Sequence, residues 1–270
     1  MRDNVLVLVN HLYEAHHVAG LAARFPSSRF VQLPAAPPWP DDIGEGEVLL
    51  FAGLRKPQLS ALLQAAAGVR WIHTGSAGFD WVRVPEVDER DITLSRCADV
   101  MSIPIAEFVF GSVLAHAKHL HALREAQLER SWAPPMHSEL HGKTMLVVGV
   151  GAIGGRVAGL ARAFGMRVLG VKRDGAAHPC VDSMVGPDAL DDVLGEADVV
   201  VLTAPGTAET EGMIGAAQLA RMKPTSYLVN VARGSLIDDE ALIAALTKAT
   251  IAGACLDAFR DEPLPPDSPL

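Results

Sequence analysis

Cysteine is scarce: three in 270 residues (Cys97, Cys180 and Cys255), widely spaced and without a C-x-x-C pair. That excludes a disulfide-built scaffold, offers no thiolate metal site and fits a reduced, cytoplasmic setting, so the three are expected as small core residues. Basic residues are outnumbered, 23 Lys and Arg against 32 Asp and Glu, for a formal charge of −9. A surface of that sign repels phosphate-rich partners, which argues against sequence-independent binding to nucleic acid or to an anionic membrane. Long uncharged apolar runs are missing as well, so no stretch reaches the length of a membrane span. Behind Met1-Arg2-Asp3-Asn4, the apolar residues 5–9 are too few for a signal peptide and follow an early acid. What is present is apolar bulk, 49% of the chain. It suffices for a sizeable core and for two domains, with one large α/β unit as the alternative.

Along the chain, β-rich runs alternate with segments of helical period. In the first hundred residues strands are expected over 5–9, 30–33, 48–52, 71–74 and 92–95, with helices over 12–25 and 58–67. The cluster Pro34, Pro37, Pro38 and Pro40 cannot pair in a sheet and is expected as a surface loop. Such alternation predicts a parallel sheet covered by helices, with ligands at the carboxyl ends of the strands. Gly75-Ser76-Ala77-Gly78 lies at one such end, where exposed N–H groups suit an anion; a tight turn and nothing more fits the same residues. Pro104 opens a long helical pattern through Ile105, Phe108, Val109, Ser112, Val113 and Leu120. The domain boundary is placed there, dividing 1–103 from 104–270. Further on, strands are expected over 145–150, 167–171, 198–203, 227–231 and 251–256, and helices over 188–194, 216–222 and 239–246. The predicted class is α/β, two doubly wound parallel-sheet domains, the first flavodoxin-like and the second of Rossmann type.

That second domain opens on Val147-Val148-Gly149-Val150-Gly151-Ala152-Ile153-Gly154, a β-rich run feeding G-x-G-x-x-G. Ile153, Val157, Leu160, Ala161 and Phe164 then share one helical face, and Gly165 suits a left-handed stop. Gly149 permits the strand-to-helix turn, Gly151 lets a pyrophosphate approach the backbone, and Gly154 lets the helix pack on its strand. Free N–H groups at the helix start meet the phosphate charge. With a strand before and a second β-run after, the motif predicts dinucleotide binding. An acid for the ribose 2′-hydroxyl is expected about twenty residues past the glycines. Lys172-Arg173 stand there instead, with Asp174 beyond. Two cations attract a 2′-phosphate, arginine through a bidentate fork, so NADP is the preferred cofactor. NAD remains possible, because Asp174 in a solvated basic turn can still hold the ribose. Three more strand ends face the same edge: Ala204-Pro205, Asn230-Val231-Ala232-Arg233-Gly234 and Leu256-Asp257. Arg233, between a β-run and a glycine, suits a small carboxylate, and a surface salt bridge fits its spacing equally well.

Taken in order, several pieces resemble one family: Leu140-His141-Gly142-Lys143-Thr144, the glycine motif, Phe164-Gly165-Met166, Met222-Lys223-Pro224, residues 230–234 and Asp261-Glu262-Pro263-Leu264-Pro265. Together with Ser76-Ala77-Gly78-Phe79-Asp80 and Pro104-Ile105-Ala106-Glu107, they resemble the D-isomer-specific 2-hydroxyacid dehydrogenases. The resemblance implies a substrate-binding domain in 1–103, incomplete without a C-terminal return, a nucleotide domain after it, and an active site in the cleft between. It implies that Arg233 binds the substrate carboxylate and polarises the 2-oxo group, and that N–H groups around Ser76, Ala77 and Gly78 hold the same carboxylate. Glu262 matches the acid that pairs with a catalytic histidine, the group that gives or takes the hydroxyl proton. Ala152, Ile153, Pro205, Thr210, Val231, Ala232 and Asp257 match positions that touch the cofactor, with Asp257 near the nicotinamide.

Two departures accompany the match. The family's usual acid after the second strand falls on Lys172, as a phosphate-accepting variant would show. The family's histidine lies in a threonine-proline-histidine-like motif after the glutamate, and none of the ten histidines here matches it. His73, His116, His119 and His121 suit packed or solvated roles, and the 270 residues are expected to be part of a longer chain. The resulting expectation is an NADP-preferring oxidoreductase that reduces a small 2-oxo acid to the D-2-hydroxy acid, dimeric through the apolar helix after Pro104. A dinucleotide-sensing interaction protein without turnover is the alternative, and an enzyme acting on a one-carbon acid is a third reading.

Overall fold

The apolar runs of the first hundred residues pair as parallel strands because they are short, β-branched or leucine-rich, and separated by segments long enough to cross over. The computed structural model describes residues 4–270 except Leu54 and Ala98. The reading of Met1-Arg2-Asp3, and the side chain of Asp80 in the 76–80 motif, lie outside the described residues. The chain divides into two units, Met1–Met101 and Ser102–Leu270.

The first unit contains β1 (Leu6–Val9), α1 (Ala15–Arg24), β2 (Arg29–Gln32), β3 (Val48–Phe51), α2 (Lys56–Ala65), β4 (Trp71–Thr74), α3 (Pro85–Glu89) and β5 (Thr93–Arg96). Its described strands form one sheet in the order β2-β1-β3-β4-β5, parallel throughout. This is the flavodoxin-like order, in which the chain reverses direction between β1 and β3. Strand alternation divides the core. Leu6, Leu8, Leu49, Phe51 and Ile72 meet Leu59, Leu62 and Leu63 of α2, while Val7, Val9 and Val48 turn toward Val18 of α1. Each leucine so buried contributes roughly 1.5–3 kcal/mol, so the α2 face carries most of the stability. No residue of α1 is fully buried.

The second unit adds α4 (Ser102–Ala117), α5 (Leu120–Leu128), β6 (Thr144–Val148), α6 (Ala152–Ala163), β7 (Arg167–Val171), β8 (Ser183–Val185), α7 (Leu190–Val193), β9 (Val199–Leu202), α8 (Ala216–Arg221), β10 (Tyr227–Asn230), α9 (Asp239–Thr247) and β11 (Gly253–Leu256). The order β11-β10-β9-β6-β7-β8, parallel in every pair, is that of a Rossmann sheet, and it reverses between β6 and β9. Both faces are apolar. Leu146, Val148, Val200, Leu202 and Leu228 pack toward Leu190, Leu219 and Leu242, and Met145, Val147, Val201 and Val229 toward Val109, Val113, Val157 and Ala161. At the amino edge Asp198 accepts from the Thr144 N–H (2.8 Å) and from Lys223 Nζ (3.0 Å). Burial pushes this carboxyl up, but those two donors outweigh it and hold it below the usual carboxylate range. Lys223 of the Met-Lys-Pro motif therefore pins the starts of β6 and β9.

Several details differ from the sequence reading. The long helix starts at Ser102, so Pro104 lies inside its first turn, where a missing N–H forfeits no internal bond. It stops at Ala117; His119 adopts a left-handed φ of 51°, and α5 sets off from Leu120. The short elements α3 and β8 add to the expected series. Phe164 caps α6 rather than lining its core face, and stacks on Phe110 with ring centroids 5.2 Å apart. The cysteines are free and only partly buried, not core residues. Among the described residues no helix is long and apolar enough to cross a membrane, and no cluster of three or more His, Cys, Asp or Glu is placed to hold a metal ion.

Candidate functional site

In the second unit the site grows from the turn between β6 and α6, at the reversal of strand order. Gly149 has φ of +100°, and a Cβ there would lie 2.5 Å from the Ala204 nitrogen, so two strand-end backbones press together at this point. A Cβ on Gly154 would lie 2.3 Å from the Gly149 carbonyl oxygen and 2.7 Å from Thr203 Oγ1. A Cβ on Gly151 would meet nothing within 4 Å. Gly151 caps α6, a twelve-residue helix, with no side-chain cap bond, so Ala152, Ile153 and Gly154 present the first-turn N–H groups. Thr203 Oγ1 donates to the Gly149 carbonyl (2.7 Å) and fixes the turn. The residues fit a pyrophosphate: a helix start with an open backbone approach and no side chain in the way.

The neighbouring strand ends continue the edge in the order β9, β10, β11. Beyond β9 the loop is closed by Thr210, whose Oγ1 donates to the Pro205 carbonyl (2.7 Å) and accepts from the Thr207 N–H (2.9 Å). Gly206 in that loop lies against Arg233: a Cβ there would be 3.1 Å from Arg233 Cγ. Beyond β10, Asn230 is fully buried. Its Nδ2 donates to the Arg233 carbonyl (2.9 Å) and its Oδ1 accepts from the Ala232 N–H (3.0 Å). Arg233 is half-buried, with Nη1 donating to the Ala232 carbonyl (2.6 Å). Val231 and Ala232 are each 8% exposed, their backbone forming the floor of this turn.

Beyond β11, Phe259 and Arg260 press on Gly234, where a Cβ would fall 1.9 Å from the Phe259 carbonyl carbon. Only glycine allows this approach, and it brings the 257–262 loop against the arginine turn. Glu262 Oε1 accepts from the Phe259 N–H (3.0 Å). Burial, and then the nearby Glu262 charge, push the Asp257 carboxyl up. Arg260 clamps the loop through Glu211 Oε1 (2.6 Å) and the Ser235 and Ile237 carbonyls (3.4 and 3.3 Å).

At the end of β7, Lys172 Nζ lies 3.3 Å from Asp174 Oδ1, and that carboxylate also accepts from the Ala176 N–H (3.0 Å). A hydrogen bond from Thr207, and the Arg173 charge after it, lower the Glu209 carboxyl. Arg173 is exposed while Lys172 is partly engaged. Of the anticipated histidines, His116 stacks on Tyr227 (4.1 Å between ring centroids), where burial pushes its imidazole below the usual value, while His119 and His121 are exposed.

In the first unit the 75–78 loop is tied from beneath. Ser76 Oγ donates to the Gly78 carbonyl (2.6 Å), Trp81 Nε1 donates to the same oxygen (3.1 Å), and Arg96 Nη1 donates to the Ala77 carbonyl (2.6 Å). In a trans peptide the N–H opposes the carbonyl, so holding Ala77 O toward Arg96 aims the Gly78 N–H the other way. The Ser76 N–H is engaged by Thr74 Oγ1 (3.3 Å). A cavity of about 330 Å³ adjoins the loop, lined by Leu12, Tyr13, Ala52, Gly53, Gly75 and Trp81 among others. It stands at the carboxyl ends of β1 and β3, the reversal point of this sheet and the expected place for a ligand.

Asn230, Thr203 and Arg260 are positioning residues beyond those singled out from the sequence. Asn230 had a signal, an Asn directly after an apolar run, the turn chemistry of Asx residues. Asn230→Ala is expected to orphan two buried partners and cost about 2 kcal/mol, lowering the melting temperature by about 4–8 °C. An unchanged melt contradicts the role given to Asn230.

Known proteins share both the motifs and this arrangement. Residues 110–270 match the model of the D-isomer specific 2-hydroxyacid dehydrogenase NAD binding domain. The chain is 36% identical over 217 residues to a glyoxylate reductase of Thermofilum pendens, covering 77% of this chain and 64% of that one. A D-isomer specific 2-hydroxyacid dehydrogenase family protein from Aeromonas salmonicida superposes with a TM-score of 0.85 at 32% identity, covering 100% of this chain and 86% of that one. A D-isomer specific 2-hydroxyacid dehydrogenase of Xanthobacter autotrophicus Py2, in complex with NADPH and MES, gives a TM-score of 0.86 at 30% identity, covering 100% and 85%. With the glycine turn, the arginine turn and the acidic loop aligned along one Rossmann edge, the chain belongs to the D-isomer specific 2-hydroxyacid dehydrogenase family.

Proposed function

We propose that this chain binds NADP in preference to NAD and reduces a small 2-oxo acid to the D-2-hydroxy acid. The observation that carries the reading is the continuity of one sheet edge: the glycine turn, the Thr210-closed loop, Arg233 and the 257–262 loop touch in sequence. Gly149, Gly151, Ala152, Ile153 and Gly154 would hold the pyrophosphate, Lys172 and Arg173 the 2′-phosphate, and Pro205, Thr210, Val231, Ala232 and Asp257 the nicotinamide half. When bound, the nicotinamide supplies the hydride.

The rest is the work of side chains and main-chain donors. Arg233 binds the carboxylate and stabilises the negative charge that grows on the 2-oxo oxygen. Of the main-chain donors around Ser76, Ala77 and Gly78, the Gly78 N–H best suits the same functional group, since the Ser76 N–H is taken up by Thr74 Oγ1. Glu262, held by the Phe259 N–H, is placed to raise the basicity of an imidazole that moves the hydroxyl proton. The NADPH bound by the Xanthobacter relative, and the exposure of Arg173, support the choice of NADP.

We assign two further properties on the same footing. Exposed apolar side chains along α4 and α5 (Ile103, Phe108, Leu120 and Leu128), with Trp132 and Met136 beyond, suit burial against a second copy. Sedimentation is expected to show a homodimer, and a monomer at all concentrations contradicts it. Three unpaired thiols suit a reducing cytoplasm. The function itself is tested by loss of NADPH absorbance when the full-length protein meets glyoxylate, hydroxypyruvate or a longer 2-oxo acid. Turnover of at least one is expected; turnover of none contradicts the proposal.

A further inference from the structure

One face of β4 and β5 carries a connected set of side chains that the proposed reaction does not use. Trp71 Nε1 donates to Ser95 Oγ (2.7 Å), Ser95 Oγ lies 2.9 Å from His73 Nδ1, and His73 Nε2 lies 3.5 Å from Cys97 Sγ. The sheet builds this set. His73 is registered opposite Ser95, and residues two apart along each strand share a face, so Trp71 and His73 on β4 meet Ser95 and then Cys97. The Cys97 N–H donates to the Thr74 carbonyl (3.1 Å), extending the ladder one residue past β5 and fixing where the thiol stands.

An indole N–H can only donate, so it occupies one lone pair of Ser95 Oγ; the other can accept the His73 Nδ1–H. In that tautomer Nε2 is bare and directed at the thiol. A nucleophile, a base within reach and a third group orienting the base form the arrangement that activates cysteine. Burial, and after it the nearby Cys97, push up the phenol of Tyr13, whose hydroxyl would stand 3.3 Å from a Cβ on Gly75. Tyr13 also lines the 330 Å³ cavity of this unit.

We infer that Cys97 is a nucleophilic thiol activated by His73, a modification site for small soft electrophiles. In the reaction the thiol proton passes to His73 Nε2. The sulfur electron pair forms a bond to the electrophilic carbon as the bond to the leaving group breaks, and the leaving group departs with the electron pair of the broken bond. The imidazolium then returns its proton to water. With iodoacetamide an S–C bond replaces the C–I bond and iodide leaves.

Cys180 and Cys255, which pack against the core of the second unit, serve as references within the same molecule. The native protein at pH 7 is treated with limiting iodoacetamide, and each cysteine is followed by peptide mass spectrometry. Cys97 is expected to react about tenfold faster than either reference, because a free thiol is mostly protonated at that pH. His73→Asn is expected to bring Cys97 down to the reference rates, and Ser95→Ala to slow it part of the way. An unchanged thermal melt of the protein shows that the variants remain folded, because Cys180 and Cys255 lie in the second unit and report only on it. Equal rates for the three thiols in the native protein, or an undiminished Cys97 rate in both variants, overturn the assignment.

Discussion

Arg233→Met in the full-length protein is expected to lower kcat/KM for a 2-oxo acid by about 10³-fold, with NADPH affinity unchanged within about twofold. The guanidinium is half-buried beside the Gly206 loop, on a turn whose backbone is fixed by the fully buried Asn230. A cation held there before the substrate arrives needs no reorganisation as charge grows on the 2-oxo oxygen, and removing one such donor costs about 10²–10³-fold. Loss of the carboxylate contact adds to this. Arg233→Lys separates charge from geometry: it keeps the cation but not the planar fork, and is expected to recover only part of the loss. Steady-state kinetics of the two variants decide the matter. An Arg233→Met enzyme within about tenfold of the native one removes Arg233 from the reaction.

The second large effect concerns cofactor choice. Lys172→Asp combined with Arg173→Ala is expected to move the NADPH-to-NADH preference by about 100-fold toward NADH, through two lost charge-assisted contacts and one new acceptor for the ribose. The cations do not contribute equally. Lys172 already lies 3.3 Å from Asp174, whereas Arg173 is exposed, so Arg173→Ala alone is expected to account for most of the change. Titrations of both nucleotides against both variants measure the ratio, and an unchanged ratio in the double variant refutes the assignment.

How far the sequence could be read follows from where the information lies. The turn over 149–154 was legible because three glycines answer three local constraints, and the structure shows two of them as approaches closer than any Cβ permits. The alternation of strands was legible because the central runs, such as Leu6–Val9, Val48–Phe51 and Val199–Leu202, are buried on both faces and continuously apolar. The break at His119 was not, since Ala117-Lys118-His119-Leu120 contains neither glycine nor proline to mark it. β8 spans three residues and α3 five, too short for a period to show. Gly234 stood in a recognised motif, yet its partner at Phe259 lies on another strand end, a contact that only the folded sheet supplies. The thiol set was hidden for the same reason: Cys97 and His73 are remote in sequence and meet through strand register. Composition alone placed the cysteines in the core, whereas all three are only partly buried: Cys180 and Cys255 pack against the core of the second unit, and Cys97 stands just beyond a strand end.

The central claim is hydride transfer to the 2-oxo carbon of a small acid whose carboxylate Arg233 holds. Its most direct test is to incubate the full-length protein with NADPH deuterated at the nicotinamide C4 and a longer 2-oxo acid, then examine the product by NMR and chiral chromatography. The account predicts a D-2-hydroxy acid carrying the deuterium at C2. A product without deuterium at C2, one of L configuration, or no product from any 2-oxo acid would contradict it.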